Sequence, residues 1–196
     1  MAVLAFAAVE EFLTPLLAGV PGASRAADVL VGAAENAVTD GRALAAAWQS
    51  ATPPSSTAAR LWWATSVIRE HRGDGHVLAA TYAGLSGLET SLIHVASGLV
   101  RRDVIQPNRG WTDEQWQAGV ERLRDRGLHD GTGLTEQGAA LRQQIEDETD
   151  RLARPVLRDL DAELPVVREV LGALGHAIAA GGNLPAGNPM GVPFAR

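Results

Sequence analysis

WTDEQWQAGVERLRDRGLHDGTGLTEQGAAL, residues 111–141, is the stretch on which the fold turns. Thr112 is an N-cap residue type, and Gln115 follows it by three, the spacing at which side chain and backbone cap each other reciprocally. From there Trp116, Val120 and Leu123 recur at three- and four-residue steps, predicting a helix with one buried stripe that Gly127 closes. Residues 128–135 (LHDGTGLT) set a glycine turn between two short runs and predict a small two-stranded hairpin. Thr135 caps once more, and a long helix is predicted from 136 to about 152.

Residues 99–110, just before this stretch, hold Arg101, Arg102 and Arg109 and predict a loop of about a dozen residues after a helix over 88–96. Further back, a helix over 58–71 and another from 76 to about 83 are separated by a predicted turn at Arg72-Gly73-Asp74-Gly75, with Asp74 as N-cap of the second. Helices are also predicted over 2–17, 24–34 and 40–49, with Pro21-Gly22 and TPPSS (52–56) as breakers. After 141 come one more helix, over 164–180, and a Gly/Pro/Asn-rich tail over 181–196. Leu184, Met190, Val192 and Phe194 make that tail apolar enough to predict that it packs over the helical body.

The expected fold class is all-α with a small β-hairpin wing, a helical bundle plus a winged helix-turn-helix. Residues 1–75 are the N-terminal part of the bundle, 76–155 the winged-helix-like segment, 156–180 the C-terminal helix and 181–196 the tail, together one compact domain.

Composition narrows the function classes. The chain has 196 residues, 46% hydrophobic, with a formal net charge of -6 and no cysteine. Disulfides, zinc-thiolate sites, iron–sulfur clusters and thiol nucleophiles are thereby excluded. No run approaches the roughly 18 apolar residues of a membrane-spanning helix. The N-terminus carries Glu10 and Glu11 without a basic n-region, so no signal peptide is predicted and a cytoplasmic location is expected. All 17 basic residues are arginine.

Residues 111–141 resemble the recognition helix and wing of MarR-type regulators in three places: V-x-x-L followed by R-G-L, the glycine wing tip, and L-T-x-x-G opening a long helix. LWWATSVIREHRGDGHV (61–77), RGWTDEQW (109–116) and NPMGVP (188–193) look like an actinobacterial family labelled helix-turn-helix. That resemblance implies a fold and no particular reaction.

Electrostatics weigh against DNA as the partner. Residues 111–151 carry ten acidic residues and five arginines. A recognition helix normally brings basic residues to phosphate, yet this one begins Thr112-Asp113-Glu114. The wing tip Asp130-Gly131-Thr132-Gly133 has no arginine, and the predicted loop before the helix exceeds the three or four residues of a compact helix-turn-helix. DNA is therefore expected not to be the partner, although Arg122 and Arg126 with Arg101 and Arg102 form a small basic patch.

A candidate site lies at the predicted turn. His71, Asp74 and His76 supply two imidazoles and a carboxylate, ligand types for a divalent metal and equally the types for acid–base work, so all three are candidates for catalysis and for a metal of unspecified identity. Arg69 and Arg72 would hold an anionic group, and free backbone N–H groups over 75–77 would assist at a helix N-terminus. Trp62 and Trp63 would wall the pocket and His94 approach it from the next helix. The structural alternative is that Asp74 only caps, His71 serves a helix C-terminus, His94 is an interior histidine and both tryptophans are core. Glu89, His129 and His176 read as isolated exposed residues.

Three functions follow. The first is a winged-helix-like protein without DNA binding that takes a small organic ligand near 71–76, as a tailoring enzyme of actinobacterial secondary metabolism would. The second is a ligand-responsive regulator of MarR type, and the third a protein-interaction module. A homodimer through the apolar terminal helices is compatible with each.

Overall fold

The computed structural model describes residues 2–158 and 160–182. Nine α-helices are present among them: α1 (Ala2–Leu17), α2 (Ala23–Glu35), α3 (Ala43–Gln49), α4 (Thr57–Tyr82), α5 (Gly87–Ala96), α6 (Arg102–Arg109), α7 (Asp113–Asp125), α8 (Glu136–Ala153) and α9 (Leu164–Ala180), with a 3-10 turn at Arg154–Leu157. No helix among the described residues is long and apolar enough to cross a membrane. The expected packing of the tail through Leu184, Met190, Val192 and Phe194 falls outside the described residues.

The chain forms two compact units, one joining residues 2–75 with 150–182, the other spanning 76–149. Each has its own apolar core. In the first, the α2 stripe Ala26, Ala27, Leu30, Val31 and Ala34 recurs at helical spacing and meets Leu13, Leu17, Trp63, Val67 and Val170. Trp63 is fully buried, and its indole N–H donates to the Trp48 carbonyl at 3.0 Å, which satisfies the one polar atom the ring brings inside. Trp62 packs edge-on against Phe6 and Trp48, with centroids 5.8 and 5.0 Å away. Trp63 is a core residue, and Trp62 packs partly buried against the same core.

The second core gathers Leu85, Leu88, Leu92, Ile105, Trp116 and Leu123. Gly119 sets how closely α5 and α7 approach, since a Cβ there would lie 2.5 Å from Leu92 Cδ1. The capping box Thr112–Gln115 and the stripe Trp116, Val120, Leu123 form as the spacing predicts. Thr135 caps α8 through a bond from the Gly138 N–H at 3.0 Å.

Three expectations are corrected. The turn at 72–75 does not exist, because α4 runs unbroken from Thr57 to Tyr82 with both glycines inside it. The supposed loop over 99–110 contains α6, an eight-residue helix that Gly110 ends at φ 71°, in the left-handed region glycine tolerates best. The hairpin reduces to one isolated antiparallel bridge, His129 to Leu134, and no strand occurs among the described residues. Asp130 explains this: its carboxylate accepts from the Thr132 N–H at 2.7 Å, the Thr132 hydroxyl at 2.7 Å and the Gly133 N–H at 2.9 Å, so a local side-chain turn displaces the ladder. The same three donors pull the exposed Asp130 carboxyl down to about 2, the Thr132 N–H contributing most.

Candidate functional site

Within α4 the predicted cluster is divided among separate structural duties. His71 is buried and its Nε2–H donates to the Val38 carbonyl at 3.0 Å. Asp74 caps no helix of its own. It accepts from the Leu44 and Ala45 N–H groups at 2.9 and 3.0 Å, capping α3 from a distant part of the chain. His76 meets Thr149 Oγ1 at 3.1 Å; that hydroxyl gives its hydrogen to the Ile145 carbonyl at 2.7 Å, so His76 Nδ1–H is the donor. Arg72 pairs with Asp150 at 2.9 Å and Arg69 with Glu70. His94 lies half-buried in the last turn of α5. The backbone N–H groups over 75–77 are interior to α4, where the helix ladder uses them. No group of three or more His, Cys, Asp or Glu residues is placed to hold a metal ion among the described residues.

Arg42, which sequence reading passed over, organises the first unit. It is 8% exposed, and its guanidinium donates to the His71 carbonyl and, at 3.1 Å, to that of Leu152. Burial pushes its pKa down, and the nearby Asp74 charge partly restores it. His71 is also pushed below its ordinary value, first by burial and then by the Arg42 charge. An Arg in a loop before a short helix carries no sequence signal of burial.

In the second unit, α6 and α7 are joined by Gly110, Trp111 and Thr112 alone, the three-residue connection of a compact helix-turn-helix. The interval that argued against such a motif in the sequence is filled by α6. The charges of the motif are largely paired internally. Arg101 pairs with Asp103, Arg102 with Asp113 at 2.6 Å, Arg122 with Glu89 at 3.3 Å, and Arg124 with Glu121 at 3.0 Å. Arg126 donates to the carbonyls of Ala83 and Gly84, where it complements the C-terminus of α4. The outward face of α7 is Glu114, Gln117, Ala118, Glu121 and Asp125, all exposed.

Two sequence readings in this unit are reversed. Glu89 is buried, closing a capping box with Ser86 at the start of α5 and meeting Arg122. Burial alone would raise its pKa, but the Ser86 hydroxyl and N–H together with Arg122 outweigh that and hold it below the ordinary value. The S-x-x-E spacing at Ser86 was available in the sequence as a signal. His129 is likewise only 8% exposed.

Two adjoining clefts, of about 870 and about 550 Å³, open along α5, α6 and α7 and share Val95, Gly98, Arg102 and Gln117. The smaller reaches the wing through His129, Gly131 and Thr132, and Trp116 and Val120 also line it. The Arg102 guanidinium lies over the Trp116 ring, 5.3 Å from its centroid.

A short helix, a three-residue turn and a second helix resting on α5, followed by the long α8, define a protein of the helix-turn-helix class. The chain belongs to a helix-turn-helix family, whose family model matches residues 1–185. No curated protein and no solved structure matches it.

Proposed function

We propose that this helix-turn-helix protein binds a small organic molecule in the second unit and does not read DNA through α7. One observation carries the reading: the face that would enter a major groove presents Glu114, Glu121 and Asp125, while the arginines beside it are held by internal carboxylates or carbonyls. Nucleic-acid affinity rests on cations neutralising phosphates, and carboxylates on the reading helix oppose it. Of the arginines on α6 and α7 and their caps, Arg109 and Arg126 have no carboxylate partner among the described residues, and Arg126 is held by two carbonyls. The clefts along α5–α7, and not the His71–His76 stretch of α4, offer the open space such a ligand would need. His71, Asp74 and His76 then act as scaffold, and an enzymatic role as a tailoring enzyme draws no support from their partners.

The competing reading is a ligand-responsive regulator of MarR type, favoured by the three-residue turn and by the fold of the family. Anisotropy of the full chain against a pool of duplex fragments separates the two. The expected result is no sequence-selective complex at about 50 mM salt. A selective complex that weakens about a thousandfold towards about 200 mM salt, and that Gln117→Ala abolishes, would overturn the proposal.

A further inference from the structure

We infer that the outward face of α4 formed by Val77, Leu78, Thr81 and Tyr82 docks against the same face of a second copy of this chain, the two helices running antiparallel. The inference goes beyond the ligand-binding reading and does not depend on it.

Over its last two turns α4 places its apolar residues in reverse. Ala79 and Ala80 face the second core, while Val77, Leu78 and Tyr82 are exposed. Tyr82 is 94% exposed and Val77 62%. A helix serving only its own core puts the large side chains inward. Single exposed apolar residues are ordinary, but three large ones on successive turns make a patch of the kind that marks an interaction surface.

The patch is symmetric about its own midpoint. Val77 and Leu78 lie on one turn of α4, and Thr81 and Tyr82 follow each by four residues on the next. A two-fold axis between these turns sets Val77 of each copy against Tyr82 of the other, and Leu78 against Thr81, so the face is its own complement. Charge selects the antiparallel pairing. Asp74, one turn before Leu78, gives only Oδ2 to the cap of α3. Beyond the other end of the patch, Arg126 donates to the Ala83 and Gly84 carbonyls and has no carboxylate partner among the described residues. Those bonds leave part of its five-donor guanidinium unused. The same two-fold axis brings each Asp74 towards the Arg126 of the other copy, whereas parallel helices would oppose like charges. One helix per copy buries less than the roughly 1,200–2,000 Å² of a stable complex, so the dimer is reversible, with Tyr82 as its main anchor.

Sedimentation equilibrium of the full chain from about 5 to about 500 μM tests the assignment. The expected result is a monomer–dimer equilibrium that Tyr82→Ser weakens by about tenfold or more and Arg126→Gln by about threefold. Phe12→Ser, at an exposed apolar position on α1, is expected to leave it unchanged. Tyr82 makes so little contact within its own chain that its variant keeps the test valid if Arg126→Gln loosens the end of α4. The chain has no cysteine, so chains carrying Val77→Cys or Tyr82→Cys, mixed with a short bis-maleimide, report the register, and the mixed dimer is the expected product. A dimer weakened by Phe12→Ser and not by Tyr82→Ser would overturn the inference, as would a Val77→Cys chain that links to itself in preference to the mixed pair. A monomer at every concentration would also overturn it and leave this face to a different chain.

Discussion

A Cβ added to Gly75 would lie 2.6 Å from Nη1 of Arg42. The glycine thus leaves on α4 the space through which a buried guanidinium reaches the carbonyl of His71. In an open helix, Gly→Ala stabilises by about 1 kcal/mol. Here the sign is expected to reverse. Gly75→Ala displaces Arg42 from its acceptors and leaves a buried cation and two carbonyls poorly paired, a loss of roughly 1–3 kcal/mol in urea unfolding. Gly32→Ala, where nothing lies within 4 Å of the added Cβ, is the control and is expected to stabilise.

The bond from Asp74 to the first turn of α3 gives a second test. Asp74→Ala removes the acceptor for the Leu44 and Ala45 N–H groups and is expected to cost about 1 kcal/mol, with increased amide exchange over α3. Asp74→Asn keeps an acceptor oxygen and is expected to lose less than half of that. Equal losses in the two variants would mean that the charge, through Arg42 and His71, outweighs the cap.

Sequence legibility differed along the chain for identifiable reasons. The elements around Trp116 and Thr135 could be read because cap, stripe and terminating glycine agree there, and α7 and the start of α8 follow them. At 72–75 the same local rules misled. Gly73 and Asp74 are turn residues in isolation, but Gly75 is required by Arg42, 33 positions earlier, and Asp74 by α3. Those are long-range facts without a local signature. Residues 99–110, with Arg101, Arg102 and Arg109, predict a loop, yet Ile105 anchors α6 in the second core at 2% exposure. His129 looked isolated because its partner, the Gly131 N–H, is backbone, which sequence does not display.

His71 predicts a dependence of stability on pH. Burial first, and the Arg42 charge second, hold its pKa below the ordinary 6.5, against the Val38 bond and Asp74. The unfolded chain therefore binds the proton before the folded one does. The stability contributed by the neutral ring is complete above about pH 6.5 and is lost as pH falls through the lower folded value. Thermal unfolding followed from pH 7.5 down to 5 is expected to show the midpoint falling, and His71→Gln is expected to flatten that slope while lowering the midpoint at pH 7.5. A slope unchanged in the variant would assign the effect to other groups.

Gly138 faces a harder constraint than Gly75. An added Cβ there would fall well inside contact distance of the Leu128 carbonyl, and the obstacle is backbone in place of the end of a flexible side chain. Leu128 cannot retreat easily: it is buried in the second core, and its carbonyl accepts the Thr135 N–H at 3.2 Å. Gly138→Ala must therefore push α8 away from the wing segment, and overpacking of this kind costs about 1–3 kcal/mol or more. The loss is expected to appear together with chemical-shift changes at His129 and Leu134, the bridged pair. Gly133→Ala, in the same segment with nothing within 4 Å of its added Cβ, is expected to leave stability within about 0.5 kcal/mol. If the two variants were equally stable, the close approach of α8 to Leu128 would not exist in solution, and the wing that positions His129 would need a different support.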